Sequence, residues 1–461
     1  MKIDCTTVSW LALSLAIVTT ASAQTFTLLH SFASGQNDGA YPAGSLTLSN
    51  GTFYGMTQGG GAGGGCGVVF KMNTNGSSYT NLHSFSAYAG NGNAPVAALV
   101  LSGTNLYGMM EAGSSIGIGL VFRVSTNGGA SYTNLHSFAG APKDGSSPYG
   151  SLTLANGKLY GLTMHGGSND LGVLFRVNTD GSSCTNLHVF VGGAGDGGYP
   201  MGDLILSGTT LYGMALEGGT ANQGAVFRVN TDGTGYTNLH EFAGNPFAGN
   251  PNDGSGPQGS LTLDGSTLYG MTKQGGSNNI GAVFKMNTDG SSYTNLHSFA
   301  GGAGDGASPQ GSLTLVDGAL YGMTPFGGAS DYGVVFRVST DGSSYTNLHE
   351  FTVSASDGAE PYGSLLLSGS TLYGMTSYGG TNNEGVVFAL SNLPPAPPPS
   401  LTIIYANNQV IVSWPASVSG WTLQTNNQLA AGAWGNYTGP IIGNTMTNSP
   451  TKGNLFFRLK Q

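Results

Sequence analysis

Two residue types that can carry protons or bind cations recur along this chain. Seven of the eight histidines stand in a Leu-His-x-Phe motif, at His30, His83, His136, His188, His240, His297 and His349. An aspartate opens a D-G-x-x-P motif after six of them, at Asp38, Asp144, Asp196, Asp253, Asp305 and Asp357. Because the same groups recur in copy after copy, they cannot mark a single active site.

The repeated groups favour a scaffold interpretation. An aspartate before glycine accepts backbone N–H bonds in a turn, and the glycine supplies positive φ. Each histidine is expected to be buried and to bridge a strand to a neighbouring loop. The alternatives are a carboxylate ring that holds Ca²⁺ at a channel mouth and a sevenfold histidine metal array. Asn91 takes the aspartate position in the second copy. We predict no metal ligand and no cofactor, with Ca²⁺ as the alternative.

A specific function must use residues that differ between copies. The most variable place lies just before a Gly-Gly pair, and it contains Gln58, Glu111, Met164, His165, Leu216, Glu217, Lys273, Gln274, Pro325, Phe326, Ser377 and Tyr378. From these we predict a binding site made of Glu111, His165, Glu217, Lys273, Phe326 and Tyr378. A mixed polar and aromatic rim suits a carbohydrate or a peptide. The alternative is neutral drift on an exposed loop.

No catalytic residue is predicted, and a non-enzymatic binding or structural role is favoured. The rival is a polysaccharide lyase or hydrolase, which needs asymmetric acid and base groups. Its only candidates are Glu111, His165, Glu217 and Lys273. A third interpretation is a purely structural repeat for packing in the cell envelope.

These residues sit in a repeat of about 52 residues, since successive motif histidines lie 53, 53, 52, 52, 57 and 52 positions apart. A second motif, [LF]-Y-G-[ML], has its tyrosines at Tyr54, Tyr107, Tyr160, Tyr212, Tyr269, Tyr321 and Tyr373. A third, G-x-x-F, ends at Phe70, Phe122, Phe175, Phe227, Phe284, Phe336 and Phe388. A fourth resembles S-L-T-L. Each motif is a short apolar or alternating run bounded by turn residues, which predicts a strand.

The four motifs predict a four-stranded unit. Strand a is S-L-T-L, strand b is L-Y-G-M-T, strand c is G-V-V-F-R-V and strand d is Y-T-N-L-H-S-F. Asn-Gly and Asp-Gly pairs between strands c and d tolerate the positive φ of tight hairpins. Four antiparallel strands per repeat of this length are typical of a β-propeller blade. The sequence therefore predicts an all-β, seven-bladed β-propeller. Its d–a and b–c loops share one face, which is where binding is expected.

The ends of the repeat region predict that the ring closes. It begins with a lone strand d and ends at a strand c, at residues 385–390. The N-terminal strand can therefore complete the seventh blade and cover its open edge.

The combined motif L-Y-G-M-T-x-x-G-G, followed by G-V-V-F and repeated seven times, resembles the GloVer tandem-repeat family of secreted bacterial proteins. The resemblance covers about residues 25–390. It implies export and a propeller-like repeat, but no established activity and no catalytic residues. The end of the chain resembles a verrucomicrobial-type C-terminal β module.

The remaining segments complete the predicted domain organisation. Residues 1–23 have a basic start, an apolar stretch and an Ala-Ser-Ala cleavage site, which indicates a secretory signal peptide. The propeller is predicted over residues 24–391, a Pro-rich linker over 392–400 and a small fibronectin-like β-sandwich over 401–461. The three tryptophans of that module are expected in its core, with a sugar-stacking platform as the alternative.

Composition limits the partners. Charged residues make up 8% of the chain and the net charge is −9, with no basic patch, so nucleic acid is excluded as a partner. No other apolar stretch is long enough to span a membrane. We expect a secreted monomer, extracellular, surface-bound or periplasmic, whose partner is a carbohydrate or a cell-surface protein. Cys66 and Cys184 occupy different positions in non-adjacent copies, so no disulfide is expected between them.

Overall fold

The computed structural model describes residues 24–86, 92–93, 95–113, 117–128, 132–244 and 252–394, and seven C-terminal stretches (401–406, 409–413, 422–426, 434–439, 441–442, 445–448 and 456–460). Every regular element in these residues is a β-strand, and every strand pair is antiparallel, as is the isolated bridge between Asn93 and Ala112. The described residues include no helix of the length and apolarity that crossing a membrane requires. The predicted signal peptide lies outside the described residues.

The predicted strands a to d all form. Strand a is Thr47–Ser49, Val100–Ser102, Thr153–Ala155, Ile205–Ser207, Thr262–Asp264, Thr314–Val316 and Leu366–Ser368. Strand b is Thr52–Thr57, Asn105–Met110, Lys158–Thr163, Thr210–Ala215, Thr267–Thr272, Ala319–Thr324 and Thr371–Thr376. Strand c is Val68–Asn73, Leu120–Ser125, Val173–Asn178, Ala225–Asn230, Ala282–Asn287, Val334–Ser339 and Val386–Ser391. Strand d is Thr80–Ser84, Thr133–Ser137, Cys184–Val189, Thr237–Glu241, Thr294–Ser298, Tyr345–Glu350 and the N-terminal Thr25–Ser31.

Within the described repeat region these strands form seven four-stranded sheets, each in the order a-b-c-d. We number them as units one to seven by their strand c. The N-terminal strand Thr25–Ser31 pairs with strand c of unit seven, from Thr25 opposite Ser391 to Ser31 opposite Val386. The first strand of the chain therefore supplies strand d of the last unit, as the sequence predicted.

Each sheet is filled by a phenylalanine that uses the space left by a glycine on the next strand. Gly270 of strand b lies opposite Phe284 of strand c. A methyl group on Gly270 would lie 2.5 Å from the Phe284 ring. The glycine of L-Y-G-M is therefore present because the buried ring of strand c occupies the place of its side chain.

Neighbouring sheets contact each other through pairs of buried phenylalanines. The phenylalanine after each motif histidine packs edge-on against the strand c phenylalanine of the following unit. The pairs are Phe32–Phe70, Phe85–Phe122, Phe138–Phe175, Phe190–Phe227, Phe242–Phe284, Phe299–Phe336 and Phe351–Phe388, with ring centroids 5.1–5.5 Å apart. Phe32 belongs to the sheet of unit seven, so its pair with Phe70 connects that sheet to unit one.

A second set of contacts joins the units through a Pro-x-Gly-Ser segment before each strand a, which we call the PxGS segment. The segments are residues 42–45, 95–98, 148–151, 200–203, 257–260, 309–312 and 361–364. Their glycines touch the backbone of the next segment: a methyl group on Gly202 would lie 2.1 Å from the Gly259 carbonyl oxygen, and one on Gly363 would lie 2.2 Å from that of Gly44. At these glycines a side chain would collide with the neighbouring backbone. Ala97 takes the glycine position in unit two.

The same segments form a hydrogen-bond ladder, in which a backbone N–H donates to the side chain of the equivalent residue in the next unit. The bonds run from Ala98 to Ser151 (3.0 Å), Ser151 to Asp203 (2.5 Å), Asp203 to Ser260 (2.6 Å), Ser260 to Ser312 (3.1 Å), Ser312 to Ser364 (2.8 Å) and Ser364 to Ser45 (2.7 Å). The last bond joins the unit that ends the repeat region to the unit that begins it. Ala98 has no hydroxyl for a seventh bond of this kind.

Sequence reasoning missed one element. In six units a two-residue strand of the D-G-x-x-P loop pairs with a two-residue strand of the b–c loop. The pairs are Gly39–Ala40 with Gly59–Gly60, Gly145–Ser146 with His165–Gly166, Gly197–Gly198 with Glu217–Gly218, Gly254–Ser255 with Gln274–Gly275, Gly306–Ala307 with Phe326–Gly327 and Gly358–Ala359 with Tyr378–Gly379. In unit two a single bridge joins Asn93 to Ala112. These pairs tie the d–a and b–c loops of each unit together on one face.

The described C-terminal residues form two further sheets. One has strands Thr402–Ala406, Gln409–Ser413, Thr445–Asn448 and Ile441–Ile442, and the other has Thr422–Asn426, Gly435–Asn436 and Phe456–Lys460. Val412 and Met446 from the first sheet and Leu423 from the second share one buried cluster. Arg458 lies over the Trp434 ring at 4.5 Å. The other two tryptophans of this region, Trp414 and Trp421, lie outside the described residues.

Candidate functional site

The repeated histidines and aspartates form local pairs. In six units the motif histidine Nε2 lies 2.9–3.1 Å from a carboxylate oxygen of the aspartate that follows it. The carboxylate of Asp196, for example, also accepts the N–H groups of Val191 (2.9 Å) and Gly197 (2.8 Å). The aspartate therefore holds the end of strand d to the loop behind it. This agrees with the turn and bridge roles expected from the sequence.

The electrostatics of these pairs follow from their burial and their hydrogen bonds. Burial alone would raise the pKa of Asp196, but the bonds from His188 and Val191 outweigh it, so the pKa of this carboxyl lies below its ordinary value. Burial opposes protonation of His136, yet its bond to Asp144 prevails and raises its pKa to about 9. The described residues contain no group of three or more His, Cys, Asp or Glu side chains arranged to hold a metal ion.

Most motif histidines also stack on a tyrosine of the next unit, as His188 does on Tyr236 with ring centroids 3.7 Å apart. Two positions vary this contact. Cys184, a free thiol like Cys66, stands where other units have the tyrosine. Phe26 takes that place beside His349, at 4.2 Å. His83 stacks on Tyr132, and burial lowers its pKa to about 4. The residue that aligns with the aspartates in its unit, Asn91, lies outside the described residues.

Replacing a paired aspartate should destabilise the fold. We expect Asp196→Asn to lower the free energy of unfolding by about 2 kcal/mol, because an amide nitrogen cannot accept from His188 and two N–H groups compete for the remaining oxygen. The matched control is Asp180→Asn in an exposed c–d turn, where unit one already has Asn75 bonded in the same way. Urea unfolding at neutral pH measures both.

The stability lost in Asp196→Asn should depend on pH in a definite direction. The folded-state pKa of Asp196 is depressed, so its stabilising contribution is present above its ordinary pKa and disappears as pH falls through the folded-state value. The free energies of unfolding of the native chain and of Asp196→Asn should therefore converge below about pH 4. A difference that stayed constant down to pH 2 would contradict the carboxylate role.

The PxGS segments of all seven units line one cavity of about 500 Å³. Its wall also includes residues of the b–c loops, namely Gln58, Ser377 and Tyr378. The cavity is therefore on the side of the molecule where the d–a and b–c loops lie. The residue after each proline differs between units and gives the wall its chemistry: Ala43, Val96, Tyr149, Met201, Gln258, Gln310 and Tyr362.

Four tyrosines, Tyr41, Tyr149, Tyr362 and Tyr378, line this cavity. Tyr41 and Tyr378 meet edge to face with ring centroids 5.5 Å apart, and both are about one third exposed (37% each). The Tyr362 hydroxyl donates to a Glu360 carboxylate oxygen at 2.7 Å. The cavity thus combines exposed aromatic faces with fixed polar groups, which is the usual composition of a small-molecule site.

Backbone geometry fixes the position of Tyr41. It has a φ of 56° directly before a proline, where extended backbone is the normal conformation. Its N–H donates to the Glu384 carbonyl at 2.8 Å, and its own carbonyl accepts from Gln58 at 3.2 Å. Contacts to the unit behind and to its own b–c loop hold this residue. Ser147, Tyr199, Ser308 and Glu360 have the same positive φ before their prolines, so this conformation belongs to the repeated scaffold.

One carboxylate, Asp203, lines the cavity, and it is the sole formally charged side chain among the described lining residues. Its Oδ1 accepts from the Ser151 N–H at 2.5 Å, and its own N–H donates to Ser260 Oγ at 2.6 Å. Gln258 and Gln310 follow it in the next two units and add amide donors and acceptors to the same wall.

The structure places the six predicted site residues unequally. Tyr378 lines the cavity, and Glu111 acts electrostatically on Tyr149, a lining residue. The other four lie in or beside the short b–c strands and do not line it: His165 faces Asp170 at 3.9 Å, Glu217 contacts Asn222 at 3.5 Å, and Lys273 and Phe326 take part in backbone contacts with their own d–a loops. The structure therefore does not gather the six into one site.

Sequence reasoning missed the residues of the PxGS segments, above all Asp203, Tyr149 and Tyr362. The signal was present in the sequence. The position after each proline varies as much as the b–c loop does, and Asp203 replaces a residue that is serine in most units. Only the fold reveals that these positions face one another, because each PxGS segment looks like a turn when read alone.

The four-stranded sheets repeat along the chain, contact one another through paired aromatic rings and surround a common cavity. These features define a propeller-like repeat protein. The chain belongs to the Gloeobacter/Verrucomicrobia repeat family, whose model matches residues 16–214, 124–264 and 222–431. This confirms the family resemblance inferred from the motifs.

Several solved structures resemble this chain at low sequence identity. An oligogalacturonate lyase from Vibrio parahaemolyticus is 12% identical, with a TM-score of 0.49 over 80% of this chain and 94% of that one. A puromycin-hydrolyzing peptidase of Mycobacterium tuberculosis is also 12% identical, with a TM-score of 0.48 over 81% of this chain and 58% of the peptidase. A chain of a nidogen/laminin complex is 15% identical, with a TM-score of 0.39 over 65% of this chain and 94% of that one. No curated protein matches the sequence significantly.

Proposed function

We propose that this chain is an exported, closed seven-bladed β-propeller that binds a carbohydrate in its central cavity and performs no chemistry on it. The observation that carries the binding role is the cavity itself. Its wall combines four tyrosines and three glutamines on a scaffold that is otherwise nearly identical from unit to unit.

Three independent contacts support closure of the ring. The N-terminal strand completes the sheet of unit seven, the Phe32–Phe70 pair connects that sheet to unit one, and Ser364 donates to Ser45. The first repeats the c–d pairing found within each unit, and the other two repeat contacts made between neighbouring units elsewhere in the chain. A closed ring leaves no exposed sheet edge between first and last units.

The cavity favours a saccharide because its polar and apolar surfaces alternate. Tyrosine faces can cover the apolar face of a sugar ring, while the amides of Gln58, Gln258 and Gln310 can bond its hydroxyls. About 500 Å³ is within the usual range of a small-molecule site.

A binding role fits the cavity better than hydrolysis does. Glycoside hydrolases use two carboxyl groups about 5–9.5 Å apart, whereas Asp203 is the single carboxylate among the described lining residues. The candidates for the rival enzyme, Glu111, His165, Glu217 and Lys273, do not line the cavity. Hydrolysis by a pair of carboxyl groups therefore lacks its second group among the described lining residues.

Export and attachment complete the proposal. Residues 1–23 would be removed as a signal peptide, so that the exported chain begins at Gln24, which N-terminal sequencing of the secreted protein would check. The two C-terminal sheets, with their shared cluster around Val412 and Leu423, would form a small sandwich that attaches or sorts the protein.

The test compares two exposed tyrosines on the loop face. Tyr378 lines the cavity and is 37% exposed, whereas Tyr332 is 36% exposed and lies outside the lining. With an oligosaccharide selected on a glycan array, Tyr378→Ala should weaken binding about tenfold, the worth of one aromatic contact. Tyr332→Ala should leave the affinity unchanged.

Calorimetric titration measures both affinities. Equal losses for the two variants would place the site elsewhere on the face, and a native chain that captured no glycan would refute the proposed function.

A further inference from the structure

Asp203 has an acidic group that its structural role does not require. At the last position of the PxGS segments, five units have serine: Ser45, Ser151, Ser260, Ser312 and Ser364. The serine oxygen accepts the N–H of the preceding unit, and Asp203 accepts the N–H of Ser151 in the same way. Serine does this work without a charge. The carboxyl of unit four therefore gives the cavity an acidic group beyond what the ladder needs.

Other carboxylates act on the cavity from different directions. The hydrogen bond and charge of Glu384, together with burial, raise the pKa of Tyr41. Burial and then the charge of Glu111 raise the pKa of Tyr149, and burial, a hydrogen bond and the charge of Glu360 raise that of Tyr362. No lysine or arginine is among the described lining residues. Acidic groups therefore lie in and around the cavity with no basic side chain among the described lining residues to balance them, and a concave site favours a ligand of the opposite charge.

The tyrosines of the cavity wall also favour a positively charged ligand. The face of a tyrosine ring is the negative end of its quadrupole, so it attracts a cation that approaches within about 6 Å of the ring centre. A negatively charged saccharide such as a uronate would meet Asp203 and the tyrosines with no basic side chain among the described lining residues to compensate.

We infer that the cavity selects a ligand with a positively charged amine, which in a carbohydrate means an amino sugar that is not N-acetylated. This inference rests on the proposed carbohydrate-binding function and names its ligand class. Asp203 would pair with the ammonium group. The tyrosines would cover the sugar ring, and their ring faces would attract the positive charge.

The state of the Asp203 carboxyl makes it responsive to such a partner. Burial raises its pKa and so favours the neutral acid in the empty cavity, and the hydrogen bonds from Ser151 and Ser260 offset this only in part. An ammonium group beside it supplies the opposite charge that a desolvated carboxylate lacks.

The experiment titrates the native chain with a tetramer of β-1,4-linked glucosamine and with its fully N-acetylated counterpart, at neutral pH and constant salt. The native chain should bind the amine tetramer at least about tenfold more tightly, as expected of a charge-assisted hydrogen bond. Asp203→Ser, which places the residue of five other units in the ladder, should abolish this preference and leave the affinity for the acetylated tetramer within about twofold.

A charge-relocation variant separates charge from local geometry. In Asp203→Ser combined with Ser312→Asp, the carboxylate returns to the ladder two units further on, where it can accept the N–H of Ser260. The preference for the amine tetramer should return in part. Thermal unfolding of each variant confirms that the ring is intact.

The outcomes distinguish the two proposals. Equal affinity of the native chain for both tetramers, or a preference that survives Asp203→Ser, overturns the amine inference and leaves carbohydrate binding standing. Binding of neither tetramer counts against the carbohydrate proposal. Ethanolamine, whose binding to the native chain is monitored by NMR, then tests the charge inference by itself. If ethanolamine does not bind, that inference is overturned too.

Discussion

Deletion of residues 25–32 should leave a protein that no longer unfolds cooperatively and that aggregates at micromolar concentration. The deletion removes the strand that pairs with Val386–Ser391 and the stacking of Phe26 on His349. It also removes the fully buried Phe32, whose loss alone would cost about 3–5 kcal/mol. The exposed strand of unit seven would then be free to pair with other chains. Size-exclusion chromatography and thermal unfolding measure both effects.

A peptide control distinguishes a missing strand from general damage. A synthetic peptide of residues 24–33, added during refolding, should restore a monomeric chain, because it can supply strand d in trans. A scrambled peptide of the same composition should not. Recovery with the scrambled peptide, or a truncated chain that stays monomeric with its melting temperature within about 2 °C of native, would show that this strand does not close the fold.

The strands and their order could be predicted from the sequence because each one is a local pattern that recurs seven times. The L-Y-G-M and L-H-x-F motifs give strand type and spacing, and the lone first strand indicates where it must pair. The two-residue strands could not be predicted. In Gly39–Ala40 and Gly59–Gly60 they have no alternation of apolar and polar residues, and they exist because the loops are held side by side.

The candidate site was predicted in part, for a related reason. Sequence variation pointed to the b–c loop and so to Tyr378, which does line the cavity. The same variation at Tyr149 and Asp203 was overlooked, because a residue between proline and glycine is usually read as turn chemistry. Their meeting in one cavity depends on how seven units are arranged around it, which no single repeat specifies.

Replacing Gly202 with alanine should destabilise the chain by about 3 kcal/mol, a large cost for one methyl group. The new Cβ would lie 2.1 Å from the Gly259 carbonyl oxygen, and the obstacle is backbone, which cannot rotate away as a side chain can. Relief requires units four and five to separate, which would stretch the Asp203–Ser260 bond of 2.6 Å. Urea unfolding of the purified variant measures the loss.

The matched control is Gly198→Ala, four residues earlier in the same loop. Its methyl group would meet nothing closer than 3.7 Å, and three other units already have alanine there, at Ala40, Ala307 and Ala359. We expect a change of less than about 0.5 kcal/mol. If the two glycine variants lost the same stability, the effect would come from glycine replacement in general and not from the contact between segments.

Ala97 turns this substitution into a test of ring closure. It stands at the glycine position of unit two, so one contact between PxGS segments of the native chain already accommodates a methyl group. In a closed ring, a wider spacing between two neighbouring units must be compensated by closer spacing between the others. The methyl groups at units two and four would then strain the same ring. Ala97→Gly should therefore recover about 1 kcal/mol of the Gly202→Ala loss in a double-mutant cycle, although the two residues belong to non-adjacent units. An open array has no such constraint, because each of its units contacts only its neighbours, and there the two changes would simply add.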